Sequence, residues 1–141
     1  MFAAFPLLAL PVLIYNLVLL TMTGGLKADG ATGRLANPLF TIHMTSGGMW
    51  PVTLGDLFLG GSLVVLFIEL LKSTNSRNVA IINHSLSMIL FVICLVEFLL
   101  LKGFATSVFF LLTLMVLLDV LAGFIVTIVS SRRDIDLHDQ G

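Results

Sequence analysis

TSVFFLLTLMVLLDVLAGFIVTIVS, residues 106–130, decides the fold, because within it Asp119 is the one charged residue. A helix of about 20 apolar residues crosses the roughly 30 Å hydrocarbon layer of a bilayer, and a helix bonds all its backbone groups internally. The stretch shows no period-2 alternation, which sets it apart from a barrel strand. It reads as a transmembrane helix.

Three more stretches of this kind lie upstream, at approximately 2–22, 54–71 and 79–101. The expected fold is an all-α integral membrane protein, a four-helix transmembrane bundle forming a single domain over 1–141. It has an extramembrane loop at 23–53 and a polar, mobile tail at 131–141. Composition agrees: of 141 residues 58% are hydrophobic and 11% charged, against about a quarter charged in soluble domains. The formal charge of −1 excludes nucleic acid as a partner. Cys94 is the single cysteine, which excludes an internal disulfide and any multi-cysteine cluster.

The first stretch has no Lys or Arg ahead of its apolar part and no small-x-small cleavage site, so it is expected to stay as an uncleaved span. Pro6 suits a first helical turn. Pro11 lies deeper, where it would remove a backbone bond and bend the helix, with Tyr15 and Asn16 placed to bond freed carbonyls or a neighbouring helix. Thr53-Leu54-Gly55-Asp56 has the spacing of a capping box, making Asp56 a helix-start residue. Lys102 and Gly103 suit the end of the third span, Gly103 as a residue tolerant of positive φ, and Thr106 or Ser107 suits the cap of the fourth. So short a connection makes these two spans antiparallel neighbours.

In the loop, Gly24, Gly25, Gly30 and Gly33 predict a flexible first half. Phe40, Ile42 and Met44 then alternate with Thr41, His43 and Thr45 before Ser46-Gly47-Gly48 and Met49-Trp50-Pro51-Val52. This predicts a short β-hairpin at the membrane surface, with Trp50 as an interfacial anchor; Pro51 keeps an irregular loop as the alternative. Basic residues flanking the spans set the orientation. Lys72, Arg77, Arg132 and Arg133 fall on the side of both termini, and Lys27, Arg34 and Lys102 on the other, so both termini are expected in the cytoplasm.

Asp119 leads the candidate site. An ionised carboxylate at mid-span costs about 2.5–3.5 kcal/mol on insertion scales, so it must face protein or water. The functional reading is a proton or cation site, and the structural one a carboxyl that fixes helix packing beside the small residues Ala122 and Gly123. Asn83, Ser87, Cys94 and Glu97 fall on one side of the third span and are expected to look inward, with Leu90 interrupting the stripe. Glu97 sits near the outer end, within reach of Lys102. Glu69 stands three residues before Lys72, the spacing of a snorkelling salt bridge, with Ser62 two turns earlier on the same side.

His43, His84 and His138 fall at depths that cannot converge on haem or a metal in one copy, so no cofactor is expected. His84 is instead a candidate contact to lipid or a partner subunit. Gly-x-Ser-x-Gly, His-Glu-x-x-His and phosphate-loop patterns are missing, and no enzyme activity is expected.

Three segments carry a resemblance. They are Ser46-Gly47-Gly48-Met49-Trp50 with Leu54-Gly55-Asp56; Asn83-His84-Ser85-Leu86-Ser87 leading to Glu97-Phe98-Leu99-Leu100; and Phe104-Ala105-Thr106-Ser107 leading to Asp119 and Arg132-Arg133-Asp134. Together they resemble a group of small uncharacterised four-span inner-membrane proteins of alphaproteobacteria. The resemblance implies a bacterial inner-membrane setting and no particular activity.

Two functions remain. One is an accessory or scaffold subunit that packs through its helices against lipid, other membrane-protein subunits or copies of itself. The other is a small oligomeric transporter or channel that moves protons or cations by way of Asp119, Glu97 and Glu69. No internal repeat of the transporter kind is evident.

Overall fold

Among the described residues, three helices are long and apolar enough to cross a membrane, over Leu54–Lys72, Ile81–Leu100 and Ser107–Val129. The computed structural model describes residues 5–22, 31–72 and 77–138, with side chains placed for 5–21, 33–72 and 81–129. In chain order the elements are α1 (Ala9–Met22), α2 (Ala31–Ala36), β1 (Pro38–His43), β2 (Met49–Thr53), α3 (Leu54–Lys72), α4 (Arg77–Leu100) and α5 (Ser107–His138). A 3-10 turn at Lys102–Phe104 joins α4 to α5.

The first apolar stretch differs from expectation. Helix α1 has 14 residues, about 21 Å at 1.5 Å per residue, short of a full crossing. It begins late because Pro6 and Pro11 bracket its start. The Ala9 N–H bonds the Pro6 carbonyl and the Leu10 N–H bonds the Leu7 carbonyl. Pro11 thus occupies the first turn, where its missing N–H costs nothing, and no internal bend is required of it. Leu8, Val12, Tyr15 and Leu19 are buried at helical spacing, while Leu10, Leu13, Leu17 and Leu20 face outward.

α5 packs against both α3 and α4, and side chains of α1 reach all three, Tyr15 meeting Phe58 and Phe109 and Asn16 meeting Glu97. Leu7 bonds Glu69 near the end of α3 while the Tyr15 ring meets Phe58 near its start, so α1 and α3 are antiparallel. Ser87 with Asp119, and Phe98 with Phe110, give the same relation for α4 and α5. Gly55 lets α2, α3 and α5 close together, since a Cβ there would come 2.8 Å from Val108 and 3.2 Å from the Leu35 carbonyl. At the start of α3 the Thr53 hydroxyl accepts the Asp56 N–H (3.1 Å) and the Asp56 carboxylate accepts the Thr53 N–H (2.9 Å), a reciprocal capping box.

The β-hairpin forms as an antiparallel pair with a bulge between Pro38 and Phe40, and Gly47 takes φ +84° at its tip. Three further departures have local causes. Residues 31–36 form α2, because Ala, Arg and Leu outweigh Gly33 in helix propensity; Lys27, Gly24, Gly25 and Gly30 lie outside the described residues. Gly103 has no positive φ, the chain turning instead through the 3-10 segment, and Thr106 caps α5 by accepting the Phe109 N–H (3.1 Å). The helix also continues through the expected tail to His138, since nothing between Ser130 and His138 is Gly or Pro. The side chains of Arg77, Arg132, Arg133 and His138 lie outside the described set.

Candidate functional site

Polar side chains meet at three levels of the bundle. At the level of the α3–α4 connection, Glu69 is completely buried. Its Oε2 accepts the Leu7 N–H (2.8 Å) and pairs with Lys72 Nζ (3.2 Å), and its Oε1 accepts from Asn83 Nδ2 (2.6 Å). Lys72 also donates to the Phe5 carbonyl (2.6 Å). One carboxylate therefore ties the start of α1 to α3 and α4. The Leu7 N–H is a helix-start donor with no intrahelical partner, and an anionic oxygen there also complements the helix dipole.

The expected Glu69–Lys72 pair is present, but the carboxylate does not snorkel to the surface. Ser62, Leu66 and Glu69 form one inward face of α3, and Asn83 supplies a donor across the gap. Ser62 adds no polar path, because its hydroxyl bonds the Phe58 carbonyl of its own helix (2.8 Å).

One turn deeper, Asp119 is 4% exposed and accepts from Ser87 Oγ (2.6 Å). Asn83, Ser87 and Cys94 are buried and Glu97 is half-buried on the same stripe of α4. Asn83 Oδ1 and His84 Nδ1 are buried with no hydrogen-bond partner. His84 is pressed on Gly123, where a Cβ would lie 2.5 Å from its Nδ1, and its ring is 6.3 Å from that of Phe124. Within this copy, then, His84 is a packing partner of α5.

Near the start of α5, the Tyr15 hydroxyl is 2.7 Å from Thr106 Oγ1 and donates to the Gly103 carbonyl at 3.4 Å. Phe58, Phe104 and Phe109 surround its ring at centroid distances of 4.8–6.0 Å. Asn16 Nδ2 donates to the Val12 carbonyl (3.1 Å) and to Glu97 Oε2 (3.3 Å), so the partner of Glu97 is Asn16 rather than Lys102. Trp50 is 47% exposed on β2.

The structure thus brings Glu69 and Asn83 together and Ser87 and Asp119 together, and sets Glu97 apart from both. The role of the Leu7 N–H was missed from sequence, and Glu69 was read as a snorkelling partner of Lys72; the signal that it faces inward is its helical spacing from Ser62 and Leu66. Chemically, the arrangement fastens helices through carboxylates that accept from neutral donors and one lysine. Among the described residues no three of His, Cys, Asp and Glu are grouped to hold a metal ion. No protein-family model, curated protein or solved structure matches the chain.

Proposed function

We propose that the chain is a four-span accessory or scaffold subunit of a bacterial inner-membrane assembly, with both termini in the cytoplasm, acting by helix–helix packing in the bilayer. One observation carries this reading. Glu69 and Asp119, the most deeply buried acids, are engaged in bonds between helices, whereas apolar side chains dominate the exposed surfaces of α1, α3, α4 and α5. The bundle's outward chemistry is packing, against lipid or other helices. The outward row Leu10, Leu13, Leu17 and Leu20 supports α1 as the fourth span, completed by the turn before Ala9.

A second reading, proton or cation conduction through a small oligomer, is favoured by the acceptor Asn83 Oδ1, buried without a donor beside Glu69. Two measurements separate them. Gentle detergent extraction followed by mass spectrometry of the intact species is expected to show the chain with larger membrane subunits or copies of itself. Liposomes holding the purified protein are expected to show no proton or monovalent-cation flux. Flux in the wild type that disappears in Asp119→Asn would overturn the accessory role as a complete account.

A further inference from the structure

The hairpin has two unlike faces, and its register defines them. Opposed residues of an antiparallel pair project to the same side, and successive residues alternate. Phe40 opposes Val52, Ile42 opposes Trp50, and Met44 opposes Gly48 through the bond from the Met44 N–H to the Gly48 carbonyl (2.9 Å). One face therefore holds Phe40, Ile42, Met44, Trp50 and Val52, all apolar. The other holds Thr41, His43, Met49 and Pro51. The apolar face is covered at its root, where Val52 is 3% exposed, and open beyond it, where Phe40, Ile42, Met44 and Trp50 are 39–50% exposed.

Two further features identify what covers the open part. From Leu35 to Gly55 there is no Asp, Glu, Lys or Arg, so no ionised side chain has to leave water when the hairpin enters the bilayer surface. In addition, β2 passes into α3 with no linker, Thr53 ending the strand and Leu54 opening the helix, and the Thr53–Asp56 box fixes the junction. Asp56 is exposed and charged, which puts the edge of the hydrocarbon at the first turn of α3, the level where the hairpin is rooted. Exposed Leu54 and Leu57 carry the apolar surface onward along that helix.

We propose that the hairpin lies on the bilayer, in the leaflet at the end where α3 begins. Phe40, Ile42, Met44 and Trp50 are set between headgroups and acyl chains, and Thr41 and His43 face water. This rests on the membrane reading of the helices and is independent of the accessory role. The attraction comes from apolar area and the preference of aromatic rings for the interface, not from charge, so neither salt nor anionic lipid alters it.

Trp50 is the only tryptophan of the chain, so its fluorescence reports the hairpin alone. The full chain is reconstituted in phosphatidylcholine vesicles, with iodide on both sides of the membrane. Lipid brominated near the glycerol end of its acyl chains is expected to quench Trp50 more than iodide does, equally at low and high salt and with phosphatidylglycerol added. The Phe40→Ser/Ile42→Ser double variant is expected to reverse that order while its helical circular dichroism holds. If the variant fails to fold, the wild-type comparison decides alone. Iodide quenching that exceeds bromolipid quenching in the wild type puts the face in water and overturns the proposal. Shielding from both quenchers that is lost when the protein is diluted in lipid also overturns it, because a second copy then covers the face. Flotation of the vesicles separates either result from failure of the chain to insert.

Discussion

The start and the middle of α1 are fastened by unlike chemistry. At Leu7 the grip is a buried carboxylate that gathers a backbone N–H, an amide and an ammonium group. At Tyr15 it is a phenol lodged among Phe58, Phe104 and Phe109, whose hydroxyl meets Thr106 and Gly103. The first grip depends on a single group, and taking that group away orphans the Leu7 N–H and the Asn83 amide. The second divides its work between ring packing and one hydroxyl, so losing the hydroxyl leaves most of the contact standing. In an apolar solvent a polar tie is only as secure as its least replaceable member.

The most direct way to break this contrast is Glu69→Ala, which leaves the Leu7 N–H and the Asn83 amide without their acceptor and Lys72 with the Phe5 carbonyl but no counter-charge in the cluster. A loss of about 3 kcal/mol is expected, the scale for removing one partner of a buried charged cluster. The readout is the shift of the dodecyl sulfate unfolding transition in mixed micelles, followed by far-ultraviolet circular dichroism. Gly123→Ala asks whether the same half of the bundle owes its firmness to close packing as well. Overpacking against His84 is expected to cost roughly 1–2 kcal/mol, and adding His84→Ala should recover most of it. An undiminished deficit in the double variant would mean that another contact is responsible. Tyr15→Phe keeps the ring and drops one hydrogen bond, so about 1 kcal/mol is expected in the same assay. If it costs as much as Glu69→Ala, the two grips are not different in kind.

Much of this could be read in the residues. α3 and α4 begin and end within two residues of their expected limits, because uninterrupted apolar length is the property that the bilayer selects. For α1 the helix is shorter than the apolar run, because Pro6 and Pro11 hold back its start while the run continues through them. The last span, Ser107–Val129, keeps its expected limits as well, and past Ser130 polarity marks the end of the span while no residue stops the helix. The hairpin was legible from its alternation and from Ser46-Gly47-Gly48, and the capping box from the Thr53 and Asp56 spacing. Glu69 was half legible. Its partner Lys72 lies three residues away on the same helix, whereas Asn83 and the Leu7 N–H reach it only through tertiary packing. Asp119 could be marked as costly at mid-span, but that Ser87 answers it depends on the relative rotation of two helices, which no local pattern encodes.

The bond from Leu7 to Glu69 joins residues 62 positions apart in the chain. At roughly 5–20 residues per second, the ribosome delivers that carboxylate about 3 to 12 seconds after the N–H it receives. During that interval the start of α1 must find another acceptor, from water, headgroups or the insertion machinery. The first helix therefore reaches its final seat late, as the last turn of α3 and the first half of α4 enter the membrane.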